Sequence, residues 1–186
     1  MRGYFGIGVE GISKEQNVGT IVRTAHTFGA SFFFAIQPDV NINALRVSDT
    51  SDAFKNLPYY QYDRTDEMRL PDDCVLVGVE LTDESVELPS FRHPRRACYI
   101  FGSEMGMLSP DIVAQCDHVV KIPMKFCVNV GVAAAIVMYD RMISMGKFAE
   151  RPVSAGGPMI EDIKEKRVQR RKVRKRPKFT KGNIED

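Results

Sequence analysis

Short, continuous apolar runs that alternate with helical patterns are the feature that most constrains the fold of this chain. Such runs are typical of strands buried between two layers of helices, because these strands have no solvent-facing side. They occur at 4–9, 31–36, 74–79, 97–101 and 118–122. Helical patterns lie between or after them at 17–28, 42–56, 109–115 and 128–147. This alternation predicts an α/β fold with a mainly parallel sheet and helices on both faces.

The charge of the chain is divided between two unlike parts. The net charge of +2 combines 15 basic and 21 acidic residues in 1–163 with 11 basic residues and one acidic residue in 164–181. We therefore predict a domain at 1–149, a Pro/Gly/Ser-rich linker at 150–158 and a basic tail at 159–186, flexible or marginally helical. A basic tail on an acidic domain indicates a nucleic acid or another anionic partner, contacted through phosphates.

Several classes of protein are disfavoured by what the sequence contains. The longest apolar run, 132–139, is far too short to cross a bilayer, so we expect no membrane partner. The N-terminus has no apolar signal-peptide core. The four cysteines are far apart, which argues against a metal site and a disulfide framework and favours a reducing, cytoplasmic location.

A glycine pattern near the N-terminus resembles a dinucleotide-binding fingerprint. Gly6, Gly8 and Gly11 match G-x-G-x-x-G after a predicted strand. In a dinucleotide site the glycines open the helix directly, whereas here five residues separate Gly11 from the helical pattern, and Asp39 lies too far along to bind a ribose. We interpret the pattern as a glycine-rich strand and turn, and keep a nicotinamide enzyme as an alternative.

Three further blocks combine polar residues with glycines. The first, N-V-G-T-I-V-R-T-A at 17–25, places Asn17 where the helix begins, as an N-cap would be, and Arg23 off the apolar stripe. The second, F-G-S-E-M-G-M-L-S at 101–109, follows a buried strand at the carboxyl edge of the sheet, where α/β proteins bind ligands. The third, I-P-M-K-F-C-V-N-V-G-V-A-A-A at 122–135, opens a helix of small residues.

The order and content of these blocks resemble the SpoU/TrmH family of RNA ribose methyltransferases, in the SPOUT superfamily. That family reads N-x-G-x-x-x-R-T-x-x-x-F-G, then G-x-E-x-x-G-L-S, then I-P-M followed by S-L-N-x-x-x-A. The resemblance implies a C-terminal trefoil knot, a homodimer with the last helix in its interface, and S-adenosyl-L-methionine bound in the knot. The cofactor-binding residues that it implies are Val79, Glu80, Gly102, Ile122, Met124, Cys127 and Val128.

The resemblance also implies catalytic residues for methyl transfer to a ribose 2′-hydroxyl. Arg23 matches the proposed catalytic arginine, but a guanidinium stays protonated and is a poor general base. Arg23 therefore either works with an RNA phosphate or stabilises developing alkoxide charge. Asn17 is expected to help hold the Arg23 region and the RNA, and Glu104 to orient Arg23 or Asn17 electrostatically. Asn129 is expected to tie the cofactor loop to the active site.

One departure from the family pattern keeps other functions open. Cys127 stands where the family usually has serine, and a thiol is a weaker hydrogen-bond donor. We expect a tRNA substrate, because a short basic extension resembles tRNA-acting members and we see no additional N-terminal RNA-recognition domain. The alternatives are an rRNA substrate or a catalytically inactive knotted RNA-binding protein.

Overall fold

The computed structural model describes residues 3–48, 53–104, 106–153 and 155–157. The chain divides into two compact units, Met1–Gly146 and Lys147–Asp186. The predicted tail at 159–186 lies outside the described residues, so its conformation stays a prediction. Within the described ranges, no helix is long and apolar enough to cross a membrane.

The first unit is built on a seven-stranded sheet. Its strands are β1 (Tyr4–Glu10), β2 (Phe32–Ile36), β3 (Tyr59–Tyr62), β4 (Val75–Val79), β5 (Val86–Glu87), β6 (Arg96–Phe101) and β7 (His118–Lys121). The order across the sheet is β3-β2-β1-β6-β4-β7-β5, and every pairing is parallel. The predicted parallel sheet is thus confirmed. The sequence did not predict β3 or β5, since β3 is a polar edge strand and β5 has only two residues, both exposed.

Helices cover both faces of the sheet. They are α1 (Glu15–Phe28), α2 (Ile42–Ser48), α3 (Ala53–Asn56), α4 (Pro110–Gln115) and α5 (Val130–Met145). The apolar faces of α1 and α5 belong to one core, and Ile112 of α4 belongs to a second core on the other face. Within the range 42–56, where the sequence predicted one short helix, the structure describes helix at Ile42–Ser48 and at Ala53–Asn56, and residues 49–52 lie outside the described residues.

The glycines of the G-x-G-x-x-G pattern make room for aromatic side chains. A Cβ on Gly6 would overlap the ring of Phe32, and a Cβ on Gly8 would overlap the ring of Phe34. Gly11 turns the chain with a φ of 62°. The pattern therefore has a packing explanation on β1, in line with its interpretation as a glycine-rich strand and turn.

Local signals in the sequence set the ends of two helices. Gly29 ends α1 in the left-handed conformation, and its N–H bonds to carbonyls of the last turn, as predicted. The Ser109 side chain accepts a hydrogen bond from the N–H of Ile112 and so caps α4, also as predicted.

A buried arginine joins the C-terminal half of α5 to the sheet. Arg141 is only 3% exposed, and its guanidinium donates to the Pro94 carbonyl at 2.6 Å and the Arg95 carbonyl at 3.0 Å. It also donates to the hydroxyl of Tyr99 at 3.0 Å and lies over the ring of Phe5. These contacts fix α5 against the amino ends of β1 and β6.

Candidate active site

A cavity of about 580 Å³ opens at the carboxyl edge of the sheet. Its walls come from the chain that follows β4, β6 and β7, because parallel strands bring these three exits to one edge. All seven residues predicted to bind the cofactor line it, namely Val79, Glu80, Gly102, Ile122, Met124, Cys127 and Val128. Glu104 and Asn129 line it too, so the structure brings nine of the predicted site residues together.

Two carboxylates hold the loop between β6 and α4 in place. Glu80 accepts hydrogen bonds from the N–H groups of Leu108, at 2.8 Å, and Leu81, at 2.9 Å. Glu10, which is buried, accepts from the N–H of Ser109 at 2.8 Å. A Cβ on Gly102 would lie 2.9 Å from the Leu108 nitrogen, so only glycine fits where the loop folds back. One wall of the cavity is thereby fixed.

Glu104 lies at the amino end of α1. Its carboxylate accepts from the backbone N–H and the hydroxyl of Ser13, at 3.1 and 3.0 Å, and from the backbone N–H of Lys14 at 3.2 Å. The side-chain amide of Asn17 donates to it at 2.6 Å. A carboxylate here satisfies the N–H groups of Ser13 and of the N-cap residue Lys14, just before the first turn of α1, and interacts favourably with the helix dipole.

The surroundings of Glu104 favour its charged form. Partial burial by itself raises the pKa of this carboxyl, but the hydrogen bonds from Asn17 and Ser13 act in the opposite direction. The hydrogen bonds prevail, and the pKa of Glu104 lies below its ordinary value. Glu104 is therefore a carboxylate at neutral pH and acts as an acceptor.

Asn17 connects Glu104 to the start of α5. Its side-chain oxygen accepts from the amide of Asn129 at 2.8 Å, and the oxygen of Asn129 accepts from the N–H of Gly131 at 2.8 Å. Asn129 is thus the N-cap of α5 and also a partner of Asn17. The expectation that Asn17 caps α1 is wrong, because α1 begins at Glu15 and Glu104 supplies the capping acceptor from another loop.

Arg23 lies outside the cavity. It is exposed on α1, and the rise of a helix places it about 13 Å along the axis from Lys14, which does line the cavity. His26 is also exposed, and Cys127 is an exposed free thiol. The structure therefore joins Asn17, Glu104 and Asn129 in one network without Arg23.

Sequence reasoning missed three residues of this region, Glu10, Ser13 and Lys14. Ser13 carried a signal, since a serine just before a helical pattern is typical of helix starts. Glu10 and Lys14 carried none, because their roles depend on contacts with residues that are 99 and 90 positions away. Among the described residues, no group of three or more His, Cys, Asp or Glu side chains is arranged to hold a metal ion.

The parallel sheet and the three-loop cavity at its carboxyl edge define an α/β protein with a candidate small-molecule site outside the strand ends. The profile of the SpoU rRNA Methylase family matches residues 5–139. The chain belongs to this family.

Individual relatives are distant. A tRNA (guanosine(18)-2′-O)-methyltransferase of Borreliella burgdorferi is 28% identical over 156 residues, covering 77% of this chain and 68% of the relative. The SpoU methyltransferase AviRb of Streptomyces viridochromogenes, in complex with the cofactor AdoMet, is 22% identical with a TM-score of 0.65, covering 75% of this chain and 60% of that one. An AdoMet-bound rRNA methyltransferase from Sinorhizobium meliloti is 18% identical with a TM-score of 0.69, covering 79% and 59%. At these identities the two structures show a shared fold, and this chain spans about three-fifths of each.

Proposed function

We propose that the chain transfers a methyl group from S-adenosyl-L-methionine to a ribose 2′-hydroxyl of RNA. The observation that carries the proposal is the single cavity that collects all seven predicted cofactor residues in a SpoU-family chain. The reaction is an in-line displacement, so the protein has to align the two substrates and assist removal of the hydroxyl proton.

The composition of the cavity suits this cofactor. Its walls include apolar side chains from Val79, Ile122 and Met124, against which an adenine ring can pack. Its charged side chains, among the described residues, are two carboxylates and one ammonium, Glu80, Glu104 and Lys14. This slightly negative lining favours a ligand that carries a sulfonium and an ammonium group. When bound, the cofactor supplies an already activated methyl group.

The hydrogen-bonded network positions the two sides of the site. Glu104 fixes the start of α1, and Asn129 fixes the start of α5 directly after the cofactor loop. Because Asn17 bonds to both, a shift of either helix start would break a hydrogen bond. We assign Asn17, Glu104 and Asn129 the role of holding the cofactor loop and the RNA-facing helix in register.

Arg23 is proposed to stabilise negative charge on the attacking oxygen. Its guanidinium has no hydrogen bond or ion pair within the described part of the chain, so it is available to substrate. Arg23 lies away from the cavity of its own chain. For Arg23 to contact the reacting ribose, either RNA binding has to bring the two together, or Arg23 has to act at the cavity of a second copy of the chain.

Isothermal titration with S-adenosylmethionine tests the cofactor assignment and separates the enzyme from its rival, a catalytically inactive RNA-binding protein. We expect saturable binding that weakens when Val79 is replaced by the larger phenylalanine, which obstructs the cavity. If the wild-type protein does not bind S-adenosylmethionine, the inactive RNA-binding protein is favoured. That alternative is suggested by Cys127, which stands where the family usually has serine. A Cys127→Ser variant that gains cofactor affinity would support that rival as well.

Transfer RNA is the substrate that we favour over rRNA. The tRNA methyltransferase of Borreliella is among the relatives, and a basic extension that can contact RNA phosphates follows the domain. Ribose-methylation mapping of total RNA from a deletion strain beside its parent tests this. A site lost from tRNA would support the proposal, whereas a site lost from rRNA would support the alternative.

The basic tail is proposed to supply long-range attraction for RNA. It holds 11 basic residues and one acidic residue in 164–181, and phosphate contacts of this kind give affinity with a strong salt dependence. Truncation after Gly157 is expected to weaken RNA binding and to flatten the dependence of log Kd on log salt. An unchanged slope would refute this role.

The trefoil knot is also a proposal, supported by strand order. The connection 80–95 joins the neighbours β4 and β6, yet on its way it forms β5 at the sheet edge beyond β7. This connection therefore passes around β7, whose Lys121 ammonium donates to the Thr82 carbonyl at 3.0 Å. The chain after β7 then returns to pack α5 against α1. An experimental structure tests the proposal by showing on which side of 80–95 the segment 122–129 passes.

A homodimer through α5 is proposed from the apolar residues that this helix leaves exposed. Val132 is 47% exposed and Tyr139 is 50% exposed, and their spacing of two helical turns places them on one face. Sedimentation of Val132→Glu beside the wild type tests the dimer. We expect a dimer that the charged variant dissociates; a monomeric wild type would contradict it.

A further inference from the structure

The loop between β7 and α5 carries the most exposed aromatic side chain in the first unit's described residues. Phe126 is 82% exposed, although its neighbours Met124 and Cys127 line the cofactor cavity. A phenylalanine ring left in water forgoes the favourable free energy of burial, so an exposed ring beside a binding cavity indicates a ligand that covers it.

The residues around Phe126 indicate the chemistry of that ligand. Lys125, directly before it, is exposed, and Lys14 lies on the wall of the same cavity. Exposed aromatic rings beside lysines are typical of surfaces that bind unpaired nucleotides, because a base stacks on the ring while the ammonium contacts a phosphate. Lysines are depleted at protein–protein interfaces, so Lys125 directly before Phe126 favours RNA over a protein partner, although the nearby Val128 is also exposed.

The proposed reaction brings a nucleotide to this place. A ribose that receives the methyl group has to lie at the mouth of the cavity, so its own base or the adjacent base lies beside the cavity wall. We propose that Phe126 stacks on a base of the RNA substrate next to the reacting ribose and contributes to the choice of nucleotide. This inference rests on the proposed methyl transfer to RNA.

Two variants of Phe126 separate stacking from other roles. Phe126→Leu keeps an apolar side chain but removes the ring, and Phe126→Tyr keeps the ring. Tyr60→Leu is the matched control, since Tyr60 is 51% exposed on β3, at the opposite end of the sheet from β7. The probes are unfractionated tRNA and S-adenosylmethionine, and the readouts are the Kd for each and the rate of methyl transfer.

We expect Phe126→Leu to bind tRNA about tenfold more weakly, with wild-type affinity for S-adenosylmethionine, and Phe126→Tyr and Tyr60→Leu to behave as the wild type. Lys125→Gln is expected to lower the salt slope of tRNA binding by about one. Unchanged tRNA affinity in Phe126→Leu would overturn the inference. The inference would also be overturned if Phe126→Leu lost affinity only for S-adenosylmethionine, or if Phe126→Leu dissociated a dimer. A wild type that transfers no methyl group would instead overturn the proposed function.

Discussion

The side-chain amide of Asn17 donates a 2.6 Å hydrogen bond to the carboxylate of Glu104, although the two residues are 87 positions apart. The other side of the Asn17 amide accepts from Asn129, 112 positions away. Each of these residues comes from a different sequence block. The three blocks therefore meet in one network beside the cavity.

Loss of the Glu104 carboxylate should destabilise this network. Glu104→Ala leaves the N–H groups of Ser13 and Lys14 and the amide of Asn17 without their acceptor. We expect the free energy of unfolding in urea to fall by about 1–2 kcal/mol, the range for a lost helix cap with charged hydrogen bonds. Glu84→Ala, an exposed carboxylate in another loop, is the control and should change it by less than about 0.5 kcal/mol.

Asn17 and Glu104 should be coupled energetically. In a double-mutant cycle with Asn17→Ala and Glu104→Ala, we expect a coupling free energy of at least about 0.5 kcal/mol, since the two side chains share a hydrogen bond. Additive effects of the two substitutions on the free energy of unfolding would contradict the network.

A buried histidine should make the stability of the fold depend on pH. His93 has a fully buried ring and lies 2.6 Å from the Tyr99 hydroxyl and 2.9 Å from Asp140. In the tautomer that fits these contacts, the Tyr99 hydroxyl, which accepts from the Arg141 guanidinium, donates to His93 Nδ1, and His93 Nε2 donates to Asp140. This is the neutral form of the ring.

Burial lowers the pKa of His93 below its ordinary value of 6.5, and the effect outweighs the opposing interaction with Asp140. A depressed folded-state pKa means that the unfolded chain binds a proton first as the pH falls. The stability that the neutral, buried His93 ring contributes is therefore complete above the pKa of His93 in the unfolded chain. It is lost as the pH drops below that pKa. Urea unfolding should show this fall beginning near pH 6.5, and His93→Gln should flatten it; an equally steep fall in the variant would contradict the assignment.

The glycines of β1 should be needed for packing. Gly8→Ala places a methyl group against the Phe34 ring, and we expect it to lower the free energy of unfolding by about 1–3 kcal/mol, the cost of overpacking. Gly19→Ala is the matched control, because nothing lies within 4 Å of its Cβ position on α1, and alanine should there raise the free energy of unfolding by about 0.5–1 kcal/mol.

Saturable binding of NADH by the wild type would revive the alternative that the glycine pattern of β1 binds a dinucleotide.

Residue patterns predicted the elements that have a local or one-dimensional signal. The buried strands of 4–9 and 97–101 are unbroken apolar runs, and Gly29 and Ser109 mark helix ends through local hydrogen bonds. The two-residue strand β5 has no such signal, because it exists only through pairing with β7. The capping of α1 by Glu104 was missed for the same reason, since the acceptor comes from a distant loop.

The candidate site shows the same division. Family motifs selected nine residues that the structure places around one cavity, and their roles in binding and catalysis stay predictions. The separation of Arg23 from the cavity depends on how far α1 extends from Lys14. The exposure of Phe126 likewise depends on the path of its loop. The sequence thus indicated which residue types belong to the site, but it did not predict where Arg23 and Phe126 lie relative to the cavity.

Methyl transfer from labelled S-adenosylmethionine to tRNA, followed by nuclease digestion and mass spectrometry of the nucleosides, tests the central claim most directly. The wild type is predicted to produce a 2′-O-methylated nucleoside, and Arg23→Ala is predicted to lose that product while it keeps its affinity for S-adenosylmethionine. No methylated ribose from tRNA or rRNA with the wild type would contradict the assigned function. Full turnover by Arg23→Ala would contradict the role of Arg23.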